Sequence, residues 1–120
     1  MNDVHAHELA VARDEDSAHR VRAWLDDLPV DLPEAAPLLT HELVTNAFRH
    51  GNGERVWVSL ITCGDRVFIE VVDEGNGHPH VVRPRPYAES GRGLLWVDNL
   101  SEEWGVARHG TTHVWFKLAG

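Results

Sequence analysis

Lysine is nearly missing from this chain, and cysteine occurs once. Lys117 is the one lysine among eleven basic residues, and no G-x-x-x-x-G-K-[ST] surrounds it, which excludes a Walker-type phosphate loop. The lone Cys63 can form neither an internal disulfide nor a multi-thiolate zinc site. Flanked by Leu60-Ile61-Thr62 and Gly64-Asp65, it reads as a small residue where a strand enters a turn. No apolar run approaches the ~20 residues of a membrane span, and the polar N-terminal segment has no signal-peptide core. Positive charge is in deficit as well. Nineteen acids against eleven bases give a formal charge of -8, which would repel a phosphodiester backbone and argues against a nucleic-acid binder. The expectation is a soluble, cytoplasmic protein whose partners are neither nucleic acid nor membrane.

What is present is enough for one folded domain spanning residues 1–120. With 42% hydrophobic residues the chain can bury a core. His7 to Ala12 alternates weakly, as a strand does. Asp14-Glu15-Asp16-Ser17 supplies an N-cap and first-turn acids for a helix carrying Val21, Trp24, Leu25 and Leu28 at helical spacing. Pro29 and Pro33 end that helix and open a second, from about Glu34 to His50, with Leu39, Leu43, Val44, Ala47 and Phe48 on its buried face. Gly51-Asn52-Gly53 stops it.

Val56, Val58 and Leu60 then alternate with Trp57 and Ser59, and Val67 to Val72 is rich in β-branched residues, with Gly64-Asp65 as the turn between. From Asp73 to Gly93 the pattern dissolves into Gly, Pro, Arg and His. A loop of that length far exceeds the usual ~4–6 residues and points to function. Leu94 to Leu100 reads as a helix, and Glu103 to Arg108 with Thr112 to Leu118 as a closing hairpin around His109-Gly110. The fold class is therefore α+β: a two-layer sandwich whose mixed, mostly antiparallel sheet is covered on one face by about three helices.

Three segments carry chemistry. Glu42, Asn46 and His50 stand at i, i+4 and i+8, in one row along the second helix that borders its apolar stripe. A carboxylate and a carboxamide there need partners, and a bound metal-nucleotide would supply them. The asparagine offers a neutral oxygen to a hard cation such as Mg²⁺, and the glutamate could take a proton from a nucleophile. Asp73-Glu74-Gly75-Asn76-Gly77 follows the β-branched strand: an acceptor for an exocyclic amine, then alternating glycines that admit a ligand close to the backbone. Gly91-Arg92-Gly93-Leu94-Leu95 leads into a helix, where free N–H groups and Arg92 attract phosphate. Each segment alone is also met as an ordinary helix rim, acidic turn or helix entry; their order along one chain is the specific signal.

In that order they resemble the nucleotide-binding boxes of the GHKL superfamily of gyrase, chaperone, histidine kinase and mismatch-repair ATPases. Glu42 to Gly51 looks like its N box, Asp73 to Gly77 like its first glycine box, and Gly91-Arg92-Gly93-Leu94 like its second. Gly110-Thr111-Thr112 looks like the Gly-Thr pair that reaches the adenine. The wording Glu42-Leu43-Val44-Thr45-Asn46-Ala47 and the short chain most resemble the small anti-sigma-factor serine kinases and stand-alone actinobacterial ATP-binding regulators.

The resemblance implies ATP and Mg²⁺ as cofactors, with Glu42 as general base toward a partner serine and Asn46 as the Mg²⁺ ligand. Asp73 would accept from the adenine amine, and Gly75 and Gly77 would line the base pocket. Either Thr111 or Thr112 would complete the adenine contacts. His50, Gly91, Arg92, Gly93 and Leu94 would belong to the nucleotide site, and His78 to Ser90 to its lid. Arg20, with Arg22 nearby, would face a protein partner: a sigma factor, a STAS-domain anti-anti-sigma protein, or both. Ten of the nineteen acids lie in residues 1–42 against three arginines, so that end is read as a protein-binding face. An exposed Trp57 would mark a homodimer surface, since members of that superfamily pair through their sheets. The lid, with Arg83 and Arg85 among prolines, departs from the kinases in lacking a hydroxyl-rich stretch. That is the ground for an alternative, a catalytically silent ATP-dependent binder. A third reading, zinc held by His5/His7, His78/His80 or His109/His113, lacks carboxylate or thiolate ligands at a closing spacing.

Overall fold

A computed structural model describes residues 4–75 and 100–119. Its elements in chain order are β1 (Val4–Ala12), α1 (Ser17–Asp27), α2 (Ala35–His50), β2 (Arg55–Cys63), β3 (Arg66–Asp73), β4 (Glu103–Arg108) and β5 (Thr112–Ala119). The strands form one sheet in the order β1-β2-β3-β5-β4, and every described pairing is antiparallel. Both helices lie on one face: α2 packs on β3 and β2, and α1 packs on α2 and β1. This is the α+β two-layer sandwich expected. The helix expected over residues 94–100 lies outside the described residues except for Leu100, which is helical and exposed.

Period-two alternation sorts each strand between the two faces. Val56, Val58 and Leu60 from β2 and Val67, Ile69 and Val71 from β3 point at the helices and are buried, as are Phe116 and Leu118 from β5. Val21 and Leu25 of α1 and Ala36, Leu39, Leu43, Val44 and Ala47 of α2 close the core. Four of the five α2 residues expected in the core are there; Phe48 is half-buried at its edge. Thr40, fully buried, satisfies its hydroxyl by donating to the Ala36 carbonyl at 2.8 Å. Pro37 is tolerated because it occupies the first turn, where an N–H would have no helical partner.

Two local expectations change. The acids before α1 are not in its first turn, and the N-cap residue Asp16 makes no side-chain capping bond. Asp14 does that work from outside the helix: its carboxylate accepts from the Asp16 N–H at 2.9 Å, and its carbonyl accepts the Ser17 hydroxyl at 2.8 Å. The first strand is also longer than its weak alternation suggested, reaching back to Val4, because backbone pairing with β2 from Val4↔Cys63 to Ala12↔Arg55 holds it. Gly64 has φ 60, the conformation a two-residue hairpin requires at its first position.

The other face of the sheet carries no helix among the described residues. There Trp57 is half-buried and faces Val72 across the β2–β3 pair, while Phe68 and Trp115 stack with ring centroids 5.7 Å apart. No described helix is long and apolar enough to cross a membrane.

Candidate nucleotide site

The site gathers where β3 ends beneath the C-terminal end of α2. Asp73, the last residue of β3, points to the helix side and is 5% exposed. Its Oδ1 accepts the Asn52 N–H at 3.2 Å. Burial pushes its carboxyl above the ordinary value; the Asn52 N–H and the nearby charges of Arg108, Arg13 and His113 act the other way without cancelling it. A buried carboxylate that accepts one hydrogen bond from the described residues has spare acceptor capacity, and an exocyclic amine can use it.

Glycine is required around this carboxylate for lack of room. Gly51 caps α2 with φ -80, so it is not there for a left-handed turn. A Cβ on Gly51 would sit 2.8 Å from Asp73 Cγ and 2.9 Å from its Oδ2. Gly75 is pressed the same way against the β4–β5 turn, where a Cβ would lie 2.8 Å from the Gly110 carbonyl carbon and 3.1 Å from Thr111 Cα. The helix end, the strand end and the closing hairpin therefore meet at Asp73.

Arg13 locks that meeting point. Its Nη1 donates to the Phe48 carbonyl and its Nε to the Gly53 carbonyl, each at 2.7 Å, while its own N–H bonds the Glu54 carbonyl. A guanidinium at free C-terminal carbonyls of a helix is both a cap and a favourable charge. Nothing in the local pattern around Arg13 announced this; its partners are 35 and 40 residues away.

On α2, Glu42 and Asn46 are half-buried and make no side-chain hydrogen bond to another described residue, whereas His50, next in the row, is exposed. The row thus runs from the edge of the core out to solvent. Asn46 fits a divalent cation as a single neutral oxygen ligand, in keeping with a metal that keeps its waters and takes its charge from phosphates. No group of three or more His, Cys, Asp or Glu able to hold a metal occurs among the described residues. His78 and His80 lie outside them.

The hairpin separates the two threonines. Register places Thr112 directly opposite Asp73, on the same face. The Thr111 hydroxyl is instead engaged by His113 Nε2 at 2.7 Å, and His113 Nδ1 lies 3.3 Å from Glu70 Oε1. His113 and Glu70 belong to the face opposite the helices, so this network turns Thr111 away from Asp73. Gly77, Gly91, Arg92, Gly93, Leu94 and the expected lid lie outside the described residues. Arg20 and Arg22 are exposed on α1 and already paired, Arg20 with Asp14 at 2.6 Å and Arg22 with Asp26 at 3.6 Å.

A helix bearing a half-buried Glu and Asn, laid over a strand that ends in a buried Asp, defines a nucleotide-binding α+β sandwich. The chain matches the family described as Histidine kinase-, DNA gyrase B-, and HSP90-like ATPase over residues 33–119, and it belongs to that family. It is an ATP-binding domain of the GHKL type. The match begins after β1 and α1, so Arg20 and Arg22 stand outside it. No curated protein matches the chain.

Proposed function

We propose that this protein is an ATP-Mg²⁺-binding regulatory switch that transfers phosphate to a serine or threonine of a STAS-type anti-anti-sigma partner and captures a sigma factor. The observation that carries the reading is the pair Glu42 and Asn46: half-buried, one helical turn apart, and without side-chain partners among the described residues. Asp73 and Thr112 hold the adenine, with Gly75 and Gly77 admitting it to the backbone. Asn46 holds the Mg²⁺, which neutralises phosphate charge that no lysine here can meet. Glu42 accepts the proton of the attacking hydroxyl. Phosphoryl transfer needs mainly positioning and charge neutralisation, so one base and one metal on a small scaffold suffice. Arg20 and Arg22 on α1 receive the protein partner. A homodimer through the face bearing Trp57 is part of the same reading.

The experiment is label transfer from γ-labelled ATP to candidate STAS-domain proteins. Wild type labels the partner, while Glu42→Ala binds ATP with unchanged affinity and loses about 10²–10⁴ in transfer rate. Nucleotide binding without transfer by wild type refutes the kinase assignment and leaves a catalytically silent ATP-dependent binder.

A further inference from the structure

The row that begins at Asp73 continues one strand further. Thr112 pairs with Asp73 across β3–β5, and Arg108, the last residue of β4, pairs with Thr112. Directly opposed residues share a face, so Asp73, Thr112 and Arg108 stand in line on the helix side of the sheet. The Arg108 guanidinium is near enough to act on the Asp73 carboxyl as a charge.

Arg108 is half-buried, and its Nε is enclosed without a hydrogen-bond partner. It is the one buried side-chain polar atom left in that condition among the described residues. The guanidinium does not shed its proton, so this N–H is a permanent donor whose desolvation is uncompensated. The terminal nitrogens of an arginine can swing out to water, but Nε sits beside the stem and cannot. An acceptor has to come to it.

The ligand class follows from the two ends of the row. Asp73 and Arg108 are separated by two strand spacings, about 10 Å. Two side chains on one face at that spacing can flank a planar ring system. Asp73 only accepts, Arg108 only donates, and Thr112 does either. The row is therefore complementary to a base that presents an amine and, on a flanking edge, an unprotonated ring nitrogen. Adenine offers its N6 amine beside N7, and beside N1 on the other edge; guanine places a carbonyl oxygen where that amine stands.

We propose that Arg108 is a specificity-determining residue of the nucleotide site, its Nε–H donating to the ring nitrogen that flanks the amine held by Asp73. This rests on the ATP reading above and adds a second, opposite-polarity contact to it. Lysine at this position carries the charge without the Nε–H and does not replace it.

The test pairs side-chain and ligand-atom deletions in calorimetric titrations. Wild type, Arg108→Gln and Arg108→Lys are each titrated with ATP, 7-deaza-ATP and 1-deaza-ATP. Both variants are expected to bind ATP about 10- to 100-fold more weakly. One of the two deaza analogues should lose a similar factor on wild type and nothing further on the variants. Wild type that binds ATP and both analogues equally overturns the proposal, and that arm needs no substitution to fold. So do variants that bind ATP as wild type does. Losses that multiply for both analogues place the arginine on some other part of the nucleotide and overturn it too. Wild type that binds no ATP refutes the nucleotide reading itself, a different result from any of these.

Discussion

Replacing Asp73 by asparagine should separate binding from stability, moving the two in opposite directions. The carboxylate is 5% exposed and holds one backbone N–H, from Asn52. Its folded-state pKa is raised, chiefly by burial. A raised carboxyl favours the fold below its unfolded pKa, and that contribution is lost as pH rises through the folded value. Above the unfolded pKa the wild type therefore loses stability to a carboxyl whose surroundings disfavour its charge. Asparagine keeps an oxygen for the Asn52 N–H and removes the charge, so the nucleotide-free variant should melt above wild type at pH 7. The two melting temperatures should converge as pH falls toward the unfolded pKa.

Nucleotide affinity goes the other way. With its oxygen on Asn52, the new amide turns its NH₂ toward the base amine, donor against donor. Losing a hydrogen bond to a charged group costs about 1.5–3 kcal/mol, or roughly 10- to 150-fold in Kd for ATP. The wild type should also gain more thermal stability from saturating ATP than the variant does, because stabilisation follows RT ln(1 + [L]/Kd). Thermal melts from pH 4 to 8 with and without ATP, plus a titration at pH 7, read all of this. A variant that binds ATP as wild type does, or that melts lower than wild type at pH 7 without ligand, would refute the reasoning.

Gly51→Ala drives a methyl into the Ala47 carbonyl oxygen and the Asp73 carboxyl and should cost about 1–3 kcal/mol in denaturant unfolding, with weaker ATP binding in the same protein. Leu39→Ala empties a fully buried position between α2 and the sheet, and about 2–5 kcal/mol of stability should go with it in urea titration. Arg20→Ala breaks an exposed pair with Asp14 and should leave the melting temperature unchanged while abolishing partner capture. Asp14→Ala releases Arg20 and should tighten capture; the Arg20 hydrogen bond holds the Asp14 carboxyl below its ordinary value, so the masking fades as pH falls through that range.

Much of the fold was legible because local chemistry and tertiary packing agree. The 3.6-residue spacing of Leu39, Leu43, Val44 and Ala47 described a helix that buries those four residues. The β-branched runs and Gly64-Asp65 described a hairpin that forms from Cys63↔Arg66 onward. The first strand was underestimated because its residues are mostly exposed; pairing with β2, not burial, extends it to Val4. The acids before α1 were misplaced by a few residues because Asp14 caps through its backbone carbonyl and a side-chain bond to Asp16, a geometry that composition does not specify.

The sequence by itself determined the kind of site this protein has. One lysine excluded a Walker loop, and the order of Glu42-x-x-x-Asn46, Asp73-x-Gly75 and the later glycines pointed to ATP. Only the tertiary structure decided which residues meet. Register put Thr112 opposite Asp73 and gave Thr111 to His113, a choice left open in the sequence, where alternation with Val114 and Phe116 favours Thr112 and adjacency to Gly110 favours Thr111. Folding also carried Arg13 to the end of α2 and aligned Arg108 with Asp73. These are contacts between segments distant in sequence, set by strand order and pairing. Residue spacing reports what lies within one helix turn or one strand, and the lone lysine showed only that phosphate must be met some other way.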